Sequence, residues 1–190
     1  MTLYKKKYRI ETNRFQNHLY GKGIYFVTIC AKKKMQWFGE VKQKRMILSG
    51  LGTRVEDCIR AIPQHFPHVK VEAFVVMPNH IHILMRVAPA VETRDSRVST
   101  KEASPHNNPA KKFTLQPKGL GSIVNQLKGV VTKHSRAAGF SEFQWQSRYH
   151  DRMIRSDTEL ATVKKYIAQN PDAWDKETVP WHADAASHSL

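Results

Sequence analysis

Cysteine and long apolar runs are both scarce in this chain. Its 190 residues include two cysteines, Cys30 and Cys58, which lie in different predicted elements and lack Cys-x-x-Cys spacing. We expect both thiols to be reduced, buried and structural, as in a cytoplasmic protein. No apolar run is long enough to cross a bilayer, and the basic N-terminus is not followed by the apolar stretch of a signal peptide.

Acidic residues are also few, since 16 Asp and Glu face 31 Lys and Arg, which gives a net charge of +15. Such an excess indicates a polyanionic partner, because basic side chains gain free energy when phosphate counterions are released. A basic protein without such a partner is the alternative. A membrane surface would attract the same charge, but the sequence contains no long amphipathic basic helix to anchor it there.

Residues 1–22 form a basic arm in which aromatic residues alternate with cations. Aromatic rings stack on bases while Lys and Arg bind phosphates, so this arm is a candidate DNA contact. A solvated arm without a ligand is an equally open interpretation. The candidate cations are Lys5, Lys6, Lys7, Arg9 and Arg14.

The order of apolar patterns predicts an α+β fold. Strands are predicted over residues 23–31, 69–77, 80–87 and 143–154, the last as a full strand or a strand with an extended lead-in, with two short strands at 37–39 and 46–48. Helices are predicted over residues 51–66, 120–131 and from a capping box at 156–159 to the proline at 171. This order is the βαββαβ plan of a ferredoxin-like antiparallel sheet with an additional C-terminal helix.

The chain is predicted to form one domain over residues 1–190. Residues 88–118 are rich in Pro, Ser, Thr and Asn and lack periodicity, so we expect a flexible insertion there and not a domain boundary. The tail from residue 179 onward is expected to be loosely held. Because ferredoxin-like sheets serve many functions, the site residues must decide the function.

The sequence His80-Ile81-His82 opens the third long predicted strand. Residues two apart in a strand point to the same face, so both imidazoles share one face while the opposite face is continuously apolar. Two adjacent imidazoles can ligate one divalent ion, usually with a third protein group. A pair of unliganded histidines is the alternative, and the Pro78-Asn79 turn before them favours a site.

Tyr166 and Asn170 lie four residues apart in the last predicted helix and therefore on the same helical face. Together they could bring a hydroxyl close to a metal held by the histidines. A structural tyrosine and an asparagine that only caps the helix are the alternatives. Tyr149 is a weaker candidate nucleophile, since its place on a predicted strand favours packing or a DNA contact.

Residues 75–82, Val-Val-Met-Pro-Asn-His-Ile-His, resemble the HUH motif of small single-domain insertion-sequence transposases. The chain is more closely similar to the REP-associated tyrosine transposases. Further similar segments are residues 23–30, 121–124, 145–149, 154–155, 166–167 and 170–171, which together span most of the chain from residue 23 to residue 174.

This resemblance implies the site and its chemistry. It implies Tyr166 as the nucleophile, and His80, His82 and Asn170 as ligands of Mg²⁺ or Mn²⁺. Attack on a scissile phosphate would give a 5′-phosphotyrosine and a free 3′-hydroxyl, which can later rejoin DNA without ATP. The absence of a P-loop motif from the sequence agrees with this implication.

The resemblance also implies the partner, which is single-stranded DNA hairpins of repeated palindromic elements. Further candidate DNA contacts, chosen for charge, are Lys128, Lys133, Arg148, Arg152 and Arg155. The protein would act as a monomer or a homodimer. The alternatives are a non-catalytic hairpin-binding protein derived from a transposase, a rolling-circle nickase, and a metal hydrolase of small substrates. The last of these leaves the +15 charge unexplained.

Overall fold

The computed structural model of the protein describes residues 22–89 and 119–174. Its strands are β1 Gly23–Cys30, β2 Gly39–Lys42, β3 Arg45–Leu48, β4 Val69–Met77, β5 His80–Val87 and β6 His150–Ile154. Its helices are α1 Gly50–Arg60, α2 Ile62–His65, α3 Leu120–Ala137 and α4 Asp157–Gln169, with a 3₁₀ turn at Lys32–Lys34. The predicted N-terminal arm up to residue 21, the insertion from residue 90 onward and the C-terminal tail lie outside the described residues.

The main sheet has four strands in the order β4-β5-β1-β6, and every neighbouring pair is antiparallel. This strand order, with α1 and α3 as crossovers, confirms the ferredoxin-like prediction, and α4 is the additional C-terminal helix. Strands β2 and β3 form a separate two-stranded ribbon. In the helices of the described ranges, no segment is long and apolar enough to span a membrane.

The two faces of the sheet support different layers. On one face, the alternate residues Val27 and Ile29 of β1 and Ile81 and Ile83 of β5 are fully buried in a large core with α1 and α3. On the other face, α4 packs on a smaller apolar cluster, whose buried members are Leu84, Ile154, Val163 and Ile167. The predicted alternation of β5 is therefore correct, and the histidines share the face that α4 covers.

Two predicted boundaries were wrong. The helix predicted over residues 51–66 is divided at Ala61 into α1 and α2, and Pro63 lies in the first turn of α2, where a missing N–H costs nothing, instead of ending the helix. The strand predicted at residues 37–39 starts only at Gly39. Phe38 is fully buried beside Phe143 and Trp145, and its N–H donates to Pro78 O at 3.0 Å, outside the β2–β3 pairing.

Strand β6 confirms one of the two predicted alternatives. It covers only the end of the segment predicted over residues 143–154, so the alternative of an extended lead-in is the correct one. An isolated bridge between Ala31 and Trp145 attaches this lead-in to the end of β1.

Helix α4 begins at the predicted capping residue. The Glu159 N–H donates to Ser156 Oγ at 3.2 Å, and Glu159 Oε2 in turn accepts from the Arg155 N–H at 3.0 Å. These bonds satisfy donors that have no partner within the helix. The start of α4 is therefore determined locally by sequence.

We expect Ser156→Ala to lower the free energy of unfolding by about 1 kcal/mol, because the first turn of α4 loses its cap. Urea unfolding followed by circular dichroism measures this loss. Ser141→Ala, in an exposed turn, is the matched control and should change stability little. Equal stabilities of the two variants would contradict a capping role for Ser156.

Candidate active site

His80 and His82 stand at the start of β5, directly after the turn at Pro78 and Asn79. His82 is 5% exposed, and His80 is partly buried. Their Nε2 atoms lie 3.1 Å apart and their ring centroids 4.6 Å apart. The strand thus brings the two imidazoles together with their outer nitrogens converging on one point.

Each imidazole is oriented through its other nitrogen. His80 Nδ1 lies 2.7 Å from Asn79 Oδ1, and since an amide oxygen only accepts, Nδ1 carries the proton and donates it. His82 Nδ1 lies 2.8 Å from the hydroxyl of Thr28, its partner across the β1–β5 pairing. A neutral His80 therefore presents a lone pair at Nε2, as does His82 when its Nδ1 donates to Thr28. This is the arrangement that metal-bound histidines have.

Burial keeps both rings neutral. It lowers the pKa of His80 to about 4, with a further contribution from the nearby charge of Lys34. It lowers the pKa of His82 to about 3, with His80 as the second cause. Neutral imidazole is the form that ligates metal, so the pair would stay available to an ion well below neutral pH.

The two histidines fit a divalent ion. A single ion at about 2.1 Å from each of two nitrogens, with the nitrogens in adjacent coordination positions, holds them about 3 Å apart, close to the observed separation. Within residues 22–89 and 119–174, no group of three or more His, Cys, Asp or Glu side chains could hold a metal ion. Further ligands would therefore be amide, hydroxyl or phosphate oxygens.

Two asparagines lie near the ends of the elements that form the site. Asn170 caps the C-terminus of α4 one turn after Tyr166 and is 9% exposed, and its N–H donates to Ile167 O at 3.4 Å. Its role as a ligand stays a prediction. Asn79 is 6% exposed and contacts His80 directly, although the sequence analysis treated it as a turn residue alone.

Tyr166 projects from α4 toward the histidines. Its hydroxyl lies 3.4 Å from His82 Nε2, and its ring meets those of His82 and Phe26 edge-on. The side chain is 49% exposed, so it is accessible from solvent. Tyr149, the weaker candidate, packs against the core on the opposite face of the sheet.

A cavity of about 420 Å³ opens beside the tyrosine between β1, β6 and α4. Phe26 and Thr28 contribute from β1, and Thr162 and Tyr166 from α4. Arg152, a predicted DNA contact, lines the cavity from β6, and its guanidinium also pairs with Glu159 at 2.6 Å. The recess next to the candidate nucleophile is thus mainly apolar, with Arg152 and Asp151 as its charged lining residues.

The other predicted DNA contacts are dispersed. Lys128 is partly buried on α3 and donates to Gln146 O at 2.6 Å, while Lys133 is exposed on the same helix, across the sheet from the histidines. Arg148 and Arg155 are exposed on either side of β6. The five cations of the N-terminal arm lie outside the described residues.

A lysine turn, Lys32–Lys34, follows β1 and was not predicted from the sequence. Lys33 and Lys34 have left-handed backbone angles (φ 57° and 54°), and Lys32 Nζ donates to Gln144 Oε1 at 2.6 Å. None of the three pairs with a carboxylate of the described residues. The turn is adjacent to His80 because Cys30 pairs with His80, a register that the run of lysines alone does not reveal.

Comparison with solved structures identifies the fold. The chain matches a solved structure of a REP-associated tyrosine transposase bound to a REP hairpin with a TM-score of 0.51 and 17% identity, over 93% of this chain and 77% of the other. A Deinococcus radiodurans structure described as a candidate transposase covers 77% of this chain and 89% of its own, at 17% identity and a TM-score of 0.43. The sequence resemblance is thus confirmed at the level of the fold, which is that of the REP-associated tyrosine transposases.

One sequence relative shows a family to which the chain belongs. An uncharacterized protein of Haemophilus influenzae is 33% identical over 155 residues, which is 82% of this chain and 83% of the relative. The chain belongs to the same family as that protein. No protein-family model matches the chain.

The buried histidines predict acid sensitivity. Because their folded pKa values lie below the ordinary value of 6.5, stability should be full above about pH 6.5 and decline as the pH falls toward 4. Urea unfolding between pH 7.5 and 4 measures this decline. His82→Gln should flatten it, whereas exposed His65→Gln should not, and equal profiles for both variants would contradict the assignment.

Proposed function

We propose that this chain is a metal-dependent single-stranded DNA endonuclease and strand transferase, a transposase that cleaves DNA beside hairpins through a 5′-phosphotyrosine. The observation that carries the proposal is the 3.4 Å approach of the Tyr166 hydroxyl to His82 Nε2, where two imidazole nitrogens converge. A nucleophile beside two neutral metal-binding nitrogens is suited to phosphoryl transfer.

The fold and the charge support the same proposal. A solved structure with this fold, the REP-associated tyrosine transposase, is bound to a REP hairpin. The net charge of +15 favours a polyanion over a small neutral substrate. Repeated palindromic hairpins are therefore the DNA class that we propose for this chain.

In the proposed cleavage, Tyr166 Oη attacks the scissile phosphorus in line. The new Tyr–O–P bond forms as the bond from phosphorus to the 3′-oxygen breaks, the tyrosyl proton is lost, and the 3′-oxygen gains a proton. Mg²⁺ or Mn²⁺ held by His80 and His82, with Asn170 as a third candidate ligand, would supply charge stabilisation at a phosphate oxygen. Exposure of Tyr166 allows a DNA strand to reach it.

Rejoining is the reverse reaction with the same or another strand. A 3′-hydroxyl attacks the phosphotyrosine, the new phosphodiester forms, and Tyr166 is released. The number of phosphoester bonds is unchanged through both steps, so the cycle needs no ATP. This fits a sequence without a P-loop motif.

Basic side chains lie on two sides of the proposed site. Arg152 lies beside Tyr166 at the cavity, and the lysine turn at residues 32–34 lies beside His80. A single strand that passes both regions would cross the histidine pair between them. The proposal therefore assigns Lys33 and Lys34 to phosphates on one side of the scissile bond.

The first prediction concerns the nucleophile. Tyr166→Phe should abolish the covalent adduct with a labelled hairpin oligonucleotide in Mn²⁺, lowering its rate by about 10³-fold or more, because the attacking oxygen is removed. Denaturing gel electrophoresis detects the adduct. The ring remains, so hairpin binding should persist in a mobility-shift measurement.

Tyr149→Phe is the matched control for this experiment and should leave the adduct intact, since Tyr149 packs on the other face of the sheet. Chelation of the metal should prevent the adduct in wild type. An adduct that survives in Tyr166→Phe would move the nucleophile elsewhere. Tight hairpin binding without an adduct in any variant would favour a non-catalytic hairpin-binding protein.

The second prediction concerns the lysine turn. Replacement of Lys33 and Lys34 by Gln should weaken hairpin binding and flatten its dependence on salt, by about 0.7 in log–log slope for each single-strand phosphate that a lysine no longer neutralises. Fluorescence anisotropy at several salt concentrations measures the slope. Lys44→Gln, at a left-handed position in the β2–β3 turn, is the control, and an equal slope in both proteins would contradict the assignment.

A further inference from the structure

Strand β4 contains a bulge at Glu72. Val71 pairs with Met85 and Ala73 with Leu84, so Glu72 is an extra residue without a counterpart on β5. A bulge of this kind changes the face to which the following side chains point. As a result, Glu72 joins Ala73 on the face that α4 covers.

The Glu72 carboxylate joins three elements. Oε1 accepts from Arg86 Nε of β5 at 3.1 Å and lies 3.5 Å from Lys70 Nζ of β4, while Oε2 accepts from Lys164 Nζ of α4 at 3.1 Å. The side chain is 9% exposed. Burial alone would raise its pKa, but hydrogen bonds from Lys164 and Arg86, with the charges of Lys164 and Lys70, lower the pKa to about 2. The carboxylate is therefore ionised and held in place.

Among the residues that the structure describes, helix α4 is otherwise attached by apolar packing and by an ion pair at its first turn. Its buried apolar residues are Val163 and Ile167, which belong to the smaller core cluster. At its first turn, Glu159 pairs with Arg152 of β6. The Lys164–Glu72 pair is on the opposite flank, above β4, and lies two residues from Tyr166. The helix is thus fixed from both sides.

We propose that Glu72 is a positioning residue, which through Lys164 fixes the rotation of α4 about its axis and so holds the Tyr166 hydroxyl beside His82. The hydroxyl is at the end of a long side chain, so a small rotation of the helix moves it by ångströms. The step from the position of the Tyr166 hydroxyl to the rate of DNA cleavage rests on the proposed function.

Lys164 is a better residue than Glu72 to replace when this proposal is tested. When Lys164 is replaced, Glu72 keeps Arg86 and Lys70 as partners, so no carboxylate is left unpaired and the sheet should fold normally. Lys164→Met removes the charge, and Lys164→Arg keeps it. Lys165→Met changes the next residue of the same helix, which is exposed, and serves as the matched control.

The first measurement is hydrogen exchange on the full chain. In Lys164→Met the amides of residues 163–169 should exchange about tenfold faster than in wild type while those of β1 and β5 are unchanged. Lys164→Arg and Lys165→Met should exchange as wild type does. Equal exchange in Lys164→Met and Lys165→Met would overturn the proposal.

The second measurement is the rate of adduct formation with the hairpin oligonucleotide. Lys164→Met should lower this rate about 10- to 100-fold at saturating DNA, because a displaced nucleophile loses its alignment, while the Kd for the hairpin stays within about twofold of that of Lys165→Met. Lys164→Arg should restore the rate. Loss of hairpin affinity with an unchanged rate would overturn positioning in favour of a DNA contact.

Glu72→Gln is the second variant and should reproduce both effects of Lys164→Met. Hydrogen exchange and an adduct rate equal to those of wild type in this variant would overturn the role of Glu72. If wild type forms no adduct, the proposed function fails. The exchange comparison then still supports or overturns the link between Glu72 and α4.

Discussion

The pairing of β1 with β5 is the constraint on which the rest of the site depends. Its register places Thr28 opposite His82 and Cys30 opposite His80, so that it orients one imidazole and brings the lysine turn beside the other. A slip of one residue would turn both histidines into the core and the apolar residues Ile81 and Ile83 toward α4. The large core beneath the sheet therefore helps to maintain the geometry of the site, because a slip of one residue in either direction would expose its apolar face.

The polar side chains of the site are largely buried, and their burial has a cost in desolvation free energy. The neutral rings of His80 and His82 and the amide of Asn79 lie where water is largely excluded. The hydrogen bonds His82–Thr28 and His80–Asn79 offset that desolvation. The same exclusion would strengthen electrostatic interactions with a phosphate at the pair. Tyr166 stays half exposed at the boundary, so a substrate can approach from solvent while the groups that orient it are protected.

Much of this arrangement follows from local sequence. The bounds of β4 and β5, the face shared by the histidines and the capped start of α4 were predictable, because period-two alternation and a capping box are local signals. The bulge at Glu72 was not, since it depends on which residues of β5 find partners. The lysine turn and the contact between Asn79 and His80 also depend on tertiary register, and the division of the helix at Ala61 reflects packing that overrides helical spacing.

Helix α4 follows the short connection at Arg155 and Ser156, and a tilt of the helix about this connection as a pivot would displace its far end most. Tyr166 is nine residues beyond the first helical residue, Asp157, and therefore about 14 Å from the pivot along the axis. A tilt of about 10° at the pivot would displace the tyrosine by about 2 Å, which is enough to break its contact with His82. Hydrogen bonds at the capped end lie close to the pivot, so they restrain the position of Tyr166 little, however strong they are. The position of Tyr166 has to be fixed by contacts far along the helix, and the Lys164–Glu72 pair lies there.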